Sequence, residues 1–194
     1  MSVMLNSSTL DSNLLIMDTV TGGLDPNRHS LLSIGLVSAC GEHQRELFVL
    51  EDELCTNPES MIVNGIDLDW LKANAKSPQV TCDLIDELLE AIPGDQFVLV
   101  GHNIAFDLSF LRRLYHLAER PMPSALSHRS IDTHSLLWML AQRGLIPERA
   151  CSSDGAFQHF NVAPTEELRH TALGDAVATR LLLVKILELS ERLS

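Results

Sequence analysis

The chain has 194 residues, a length typical of one domain, and its 45% hydrophobic and 21% charged residues are ordinary for a globular protein. A formal net charge of −12 excludes a protein that coats nucleic acid through a broad basic face, although a small site of metal ions and phosphate remains compatible with it. The sequence contains neither a membrane-spanning apolar run nor a signal peptide, so we expect a cytoplasmic protein without a membrane anchor.

The first half of the chain begins with three short apolar segments that predict strands. They run from Leu14 to Met17, from Leu31 to Val37 and from Glu46 to Leu50. Short strands joined by tight links are typical of an antiparallel meander. Residues 57–65 are predicted to form a loop, and a loose helical stripe follows over residues 66–71.

The second half of the chain alternates helices with strands. Val80 to Ile92 places apolar residues on one face at helical spacing, whereas Phe97 to Asn103 is the continuous apolar run of a buried strand. A helix is predicted directly after this strand. Ser130 to Thr133 predicts a strand end, where Asp132 or Thr133 caps the next helix.

A long amphipathic helix is predicted to close the chain. The order of strands and helices predicts an α/β fold, in which a mixed sheet is flanked by helices. We expect residues 1–12 to form an N-terminal tail and residues 13–190 to form a single domain.

Three places combine an apolar element with isolated acidic or imidazole groups. They hold Asp18, the pair His102 and Asp107, and the pair His170 and Asp175. Each alone is more often a turn former, a helix cap or a structural hydrogen-bonding group. Carboxylates that converge from separate elements would together suit hard cations such as Mg²⁺, and two such ions clamp both oxygens of a phosphodiester displacement. A nearby histidine would accept a proton from the attacking water.

Three stretches resemble the exonuclease motifs of the DEDDh exonucleases, which include the proofreading subunit of bacterial DNA polymerase, ribonuclease T and oligoribonuclease. The stretches are DTVTGGLD (Asp18 to Asp25), VGHNIAFDLSFL (Val100 to Leu111) and RHTALGDAVAT (Arg169 to Thr179). Their order and spacing also agree with that family, over residues 14–187. The resemblance implies a ribonuclease H-like fold.

The resemblance also implies a role for each matching residue. Asp18 would bridge two Mg²⁺ or Mn²⁺ ions, Asp107 would help to hold one ion and Asp175 the other, and His170 would be the general base. The family has two ions, and one or two are expected here. The 3′-terminal nucleotide would bind along the first and second motifs, at Thr19, Val20, Thr21, Gly22, Asn103 and Phe106.

The implied reaction is 3′–5′ hydrolysis of phosphodiester bonds at the ends of single strands, which releases nucleoside monophosphates. The implied partner is the 3′ end of single-stranded DNA or RNA, and no membrane. The relatives also suggest a homodimer or a polymerase-like partner. Glycines at positions 22 and 23 would let a substrate approach the backbone closely.

The first motif departs from the family at Val20, where the family has glutamate. Alternate residues of a strand face the same way, so a glutamate at this position would reach the same metal cluster as Asp18. A valine side chain does not coordinate Mg²⁺, which weakens the expected activity.

Three explanations of Val20 stay open. The first is a working exonuclease in which water or another carboxylate replaces the lost ligand, with Asp25 and Asp132 the nearest in sequence. The second is a catalytically silent relative that binds nucleic-acid ends or serves as a subunit of a polymerase or repair assembly. The third is a change introduced into the sequence.

Overall fold

The computed structural model describes residues 10–191, and its five strands form one sheet in the order β3-β2-β1-β4-β5. β1, β2 and β3 pair antiparallel, which confirms the predicted meander, whereas β4 and β5 run parallel to β1. The buried run that begins at Phe97 is therefore an inner strand. The strands are β1 (Leu14–Thr21), β2 (Leu31–Ser38), β3 (Gln44–Phe48), β4 (Phe97–Gly101) and β5 (Leu126–Asp132).

Seven α-helices accompany the sheet in the described part of the chain, together with a 3-10 helix at Glu148–Cys151. The side chain of Asp132 caps α5, because it accepts a hydrogen bond from the His134 backbone N–H at 3.1 Å. The predicted α/β class is confirmed. The helices are α1 (Pro58–Asn64), α2 (Leu68–Asn74), α3 (Pro78–Ala91), α4 (Ile104–Leu117), α5 (Thr133–Gln142), α6 (Ser153–His159) and α7 (Ala172–Glu191).

The predicted loop at residues 57–65 is wrong, because most of this segment is helix α1. Asn57 caps the helix by accepting a hydrogen bond from the Ser60 N–H at 2.8 Å, and Pro58 takes the first turn, where its missing N–H costs nothing. Gly65 ends the helix with a φ of 64°. Since α1 has no buried residue, hydrophobic periodicity carries no signal for it, and only the cap pattern marks it.

Helices cover both faces of the sheet. The face that carries Leu15 and Met17 packs against α3 and α4, and the face that carries Leu14 and Ile16 packs against α7. Because side chains alternate along a strand, Asp18 points toward the α7 side. The strand therefore delivers this carboxylate to the start of the last helix.

β1 is longer than its parallel neighbour. It pairs with β4 from Leu14 to Ile16, and Met17 lies level with Gly101, the last residue of β4, so residues 18–21 extend past the carboxyl end of β4. Helix α4 begins just beyond that end and places Asp107, in its first turn, beside the stretch of β1 that pairs with β2 alone. This difference in strand length makes room for a site.

Gly35 lets the start of α7 rest directly on the sheet. It lies opposite Asp18 on one side and opposite Glu46 on the other. A Cβ at this position would stand 2.3 Å from the carbonyl group of Ala172. The helix that carries Asp175 is thus seated by a contact between two backbones.

Residues 1–9 of the predicted tail lie outside the described residues, and Leu10 is buried in the apolar cluster on the α7 side of the sheet. Among residues 10–191, no helix combines the length and apolar character that crossing a membrane requires.

Candidate active site

A cavity of about 570 Å³ opens beside the carboxyl-terminal half of β1. Three residues of the predicted constellation line it, namely Asp18, His170 and Asp175. Four of the six predicted substrate contacts line it as well: Thr19, Val20, Thr21 and Phe106. Residues from three distant stretches of the sequence therefore meet around one opening.

Asp107 lies behind the wall of this cavity. It is 3% exposed, and its Oδ1 accepts a hydrogen bond from the Thr19 hydroxyl at 2.6 Å. Burial raises the pKa of Asp107 to about 7, although hydrogen bonds from Thr19 oppose this shift. The structure thus places Asp107 against β1, where its carboxylate is hydrogen-bonded to Thr19.

The raised pKa of Asp107 predicts a pH-dependent stability of the metal-free chain. Between the ordinary carboxyl pKa of about 4 and the folded value of about 7, the folded chain holds a proton that the unfolded chain has released. The contribution of Asp107 to the free energy of unfolding is therefore complete below the unfolded pKa. It decreases by about 1.4 kcal/mol per pH unit between the two pKa values and is lost as the pH rises through the folded pKa.

Urea unfolding with a chelator from pH 4 to pH 8 measures this effect. Asp107→Asn keeps an oxygen for the Thr19 hydroxyl but has no proton to lose, so its stability relative to the natural chain should increase with pH. Parallel pH profiles of the two proteins would contradict the assignment.

Asp18 lies near several charged groups, of which only Asp175 also lines the cavity. Burial raises its pKa well above the usual range, the negative charges of Asp107 and Asp175 raise it further, and Arg169 lowers it. Carboxylates that repel one another in this way are stabilised by a cation placed among them.

The guanidinium of Arg169 already places one positive charge beside these carboxylates. Its guanidinium pairs with Oδ2 of Asp175, and its Nε donates to Oδ1 of the exposed Asp154 at 3.0 Å. Burial raises the pKa of Asp175, and the positive charge of Arg169 lowers it in turn. Oδ1 of Asp175 is buried and has no hydrogen-bond partner.

His170 stands at the mouth of the cavity, immediately before α7. Its side chain is exposed, and its backbone φ is 66°, in the left-handed region that non-glycine residues seldom adopt. Such a conformation turns the chain sharply between Arg169 and the helix. As a result the imidazole lines the cavity while the guanidinium beside it reaches Asp175.

Val20 belongs to an apolar cluster at the cavity wall. It is 8% exposed and packs with Leu32, Leu71 and Ala172. It follows Asp18 by two residues in the same strand, and the ladder shifts register only after it. The side chain thus occupies the place expected for a second carboxylate, and its neighbours are suited to an apolar group.

The two carboxylates considered as replacements for a ligand at position 20 are engaged elsewhere. Asp25 is in an exposed turn, where it accepts a hydrogen bond from the Asn27 N–H at 2.9 Å. Asp132 caps α5 and also accepts from the Asn103 N–H at 2.8 Å. Neither is part of the cavity lining. His102 is likewise outside it, within 3.2 Å of the Thr133 hydroxyl.

Glu46 is a charged neighbour that no motif marks. Its Oε1 lies 3.4 Å from the Ser33 hydroxyl, and its negative charge contributes to the raised pKa of Asp18 across Gly35. Only the pairing register of β2 and β3 reveals this proximity. Helix α1 also contributes cavity residues that the sequence did not predict. They are Glu59, Ser60, Val63 and Asn64.

Gly22 and Asn103, the other predicted substrate contacts, are not among the lining residues of the cavity. A Cβ on Gly22 would stand 2.5 Å from the Cys55 carbonyl oxygen, and one on Gly23 would stand 2.4 Å from the His29 ring. The absence of side chains at both positions is therefore required by protein neighbours. Asn103 begins α4 in a left-handed conformation with φ of 65°.

The donors at the site suit a divalent cation in their chemistry. Asp18, Asp107 and Asp175 supply only oxygen ligands, and one of these oxygens is buried without a partner. In the arrangement of residues 10–191, however, no three acidic, histidine or cysteine side chains already surround a common metal position. Asp107 is held by Thr19 and Asp175 by Arg169. The residues therefore fit a cation less completely than three free carboxylates would.

Known proteins resemble this sequence over most of its length. A model of the exonuclease family matches residues 15–183. DNA polymerase III subunit epsilon of Salmonella typhimurium is 26% identical over 178 residues, which cover 87% of this chain and 69% of that protein. Ribonuclease T of Blochmanniella pennsylvanica is 24% identical over 196 residues, which cover 92% of this chain and 86% of the relative.

Solved structures agree on the fold. Escherichia coli exonuclease I in complex with a dT13 oligonucleotide superposes with a TM-score of 0.75 at 16% identity, over 94% of this chain. The chain spans 42% of that protein. Cell-death related nuclease 4 superposes with a TM-score of 0.73 at 12% identity, over 90% of this chain and 63% of its own. The expected ribonuclease H-like architecture is confirmed.

Proposed function

Since this chain belongs to the exonuclease family, as its match over residues 15–183 shows, we propose that it hydrolyses single-stranded nucleic acid from the 3′ end. The observation that carries this proposal is the meeting of Asp18, His170 and Asp175 around one cavity, with Asp107 behind Asp18. Mg²⁺ or Mn²⁺ is the cofactor we propose.

The proposed reaction divides the work among the residues of the cavity. Water attacks the last phosphodiester while the bond from phosphorus to the 3′ oxygen of the preceding nucleotide breaks, which releases a nucleoside monophosphate. His170 accepts the proton of the water, since its imidazole is exposed to the cavity beside Asp175. A divalent ion, when bound, lowers the pKa of water and neutralises charge on the phosphate. Asp18 and Asp175, with Asp107 behind them, would hold it.

The remaining walls suit the terminal nucleotide. Phe106 and Val63 offer apolar surface to a base, and such contacts need no particular sequence. Thr19, Ser60 and Asn64 are polar residues of the same lining, and the Thr19 hydroxyl and the Asn64 amide are held by Asp107 and by the Thr21 carbonyl. We propose little sequence preference. The known structure of exonuclease I with an oligonucleotide supports a single strand as the substrate class.

A silent end-binding protein is the second candidate, and Val20 is the observation that favours it. A valine supplies no ligand, and Arg169 already engages Asp175. In that case the chain would bind 3′ ends without cleaving them, as an accessory subunit of a polymerase or repair assembly. Its relatives include subunits of DNA polymerase III, which makes such a partner reasonable, and a homodimer is a further possible assembly.

A 5′-labelled single strand incubated with the protein and Mn²⁺ distinguishes these candidates. We expect a ladder of products shortened one nucleotide at a time from the 3′ end, and no ladder with a chelator or with a 3′-phosphate block. DNA and RNA strands of the same sequence identify the preferred sugar.

Binding of the same strands is followed by fluorescence anisotropy. Strands that bind but stay intact at excess protein and Mn²⁺ would support the silent end binder and overturn the hydrolytic proposal.

A further inference from the structure

We propose that Arg169 takes the place of the second metal ion, so that this site binds one divalent cation where its family uses two. The inference rests on the proposed function. It concerns the guanidinium beside Asp175 and the missing carboxylate at position 20. These two features belong to different motifs, and both change the charge around Asp18 and Asp175.

Arg169 is held firmly where it stands. Its side chain is 18% exposed, pairs with Asp175 and with Asp154, and lies with its guanidinium carbon 5.4 Å from the centre of the Phe157 ring. Two carboxylates and an aromatic face fix a planar guanidinium more strongly than a single surface pair does. The positive charge is therefore a permanent part of the site.

The guanidinium acts on the carboxylates as a metal ion would. It forms an ion pair with Oδ2 of Asp175, which lines the same cavity as Asp18, so its positive charge lies beside the carboxylates that would hold a metal ion. An arginine stays protonated at any working pH, so this charge does not vary. A dication next to it would be repelled.

Fewer carboxylate oxygens remain for metal ions than three free aspartates and a glutamate at position 20 would supply. Asp175 gives Oδ2 to Arg169 and keeps only Oδ1 for a metal, and Asp107 gives Oδ1 to the Thr19 hydroxyl. Val20 gives none. Glu46 is near Asp18 but is not a lining residue of the cavity in the described part of the chain.

The charges of the cavity groups lead to the same number. Of the carboxylates Asp18, Asp107 and Asp175, only Asp175 has a cationic partner among residues 10–191, and that partner, Arg169, is shared with Asp154. The other two carry two negative charges when ionised, which one dication neutralises. A carboxylate at position 20 and a neutral residue at position 169 would together restore four, the charge that two dications balance.

Metal stoichiometry tests this directly. Mn²⁺ binding is measured by calorimetry and by electron paramagnetic resonance, with thymidine 5′-monophosphate present to supply phosphate oxygens. We expect one ion for the natural chain and one for Val20→Glu, because Arg169 still engages Asp175. We expect two ions for Val20→Glu with Arg169→Gln, with the spin-coupled signal of two Mn²⁺ ions about 4 Å apart.

Matched variants separate the charge of Arg169 from its packing. In the Val20→Glu background, Arg169→Lys keeps a cation and should still bind one ion, and Arg143→Gln, which removes an exposed arginine, should also bind one. Arg169→Met, which keeps the apolar stem over Phe157, replaces Arg169→Gln if the latter does not fold.

Several results would overturn the inference. They are two ions in the natural chain, two ions in Val20→Glu alone, or a single ion in the double variant. If the natural chain binds two ions and shortens the labelled strand, the inference fails while the exonuclease proposal stands. If it binds no ion and leaves the strand intact, both fail.

Discussion

Asp18→Asn is expected to lower the rate of 3′ nucleotide release by roughly 10²–10⁴-fold, because it removes the carboxylate that all the other charges of the site face. The same change should raise the thermal stability of the metal-free chain. Asp18 is a partly exposed carboxylate repelled by Asp107 and Asp175, and an amide of the same shape relieves that repulsion.

The opposite signs of these two effects make the prediction specific. A variant that was inactive because it was misfolded would melt at a lower temperature. Asp95→Asn, at an exposed position between α3 and β4, is the matched control and should change neither the rate nor the melting temperature. An Asp18→Asn protein with full activity would remove Asp18 from the reaction.

Val20→Glu is expected to raise the rate in Mn²⁺ by about tenfold to a hundredfold, because the added carboxylate shares the face of β1 with Asp18 and tightens the hold on its ion. It should also lower the unfolding free energy of the metal-free chain by about 1–3 kcal/mol, since Val20 is 8% exposed among apolar neighbours. Mn²⁺ should recover part of that loss.

Val20→Gln provides the control for Val20→Glu. It has the same shape and the same unfavourable burial but no charge, so we expect a similar loss of stability without a gain in rate. Initial rates on the labelled strand and melting with and without Mn²⁺ are the measurements. If both variants gain activity equally, the effect comes from polarity or space and not from metal ligation.

The sequence predicts the parts of the site that depend on local pattern. The sequence predicts an apolar strand that leads into Asp18 and a long helix that carries Asp175, although the strand continues to Thr21 and the helix begins at Ala172. The structure places Asp18, His170 and Asp175 around the same cavity. The meander and the parallel strands follow from the lengths of the links between them.

The ion pair and the hydrogen bond within the site could not be predicted from local sequence patterns. The ion pair between Arg169 and Asp175 depends on the left-handed turn at His170. Because non-glycine residues seldom adopt this conformation, the local sequence does not predict it. The link between Thr19 and Asp107 depends on how far β1 extends past β4. Helix α1 escapes periodicity because all its side chains keep some exposure. Each of these follows from tertiary contacts between segments distant in sequence.

The backbone contact between the start of α7 and Gly35 determines how accurately the residues of the site are positioned. Most helices reach a sheet through side chains that change rotamer and absorb small errors of position. Here two main chains touch, and no side chain can adjust to compensate. The distance between the backbones of Asp18 and Asp175 is therefore set by a contact between main chains, so a change of side chain at either position leaves this distance unchanged.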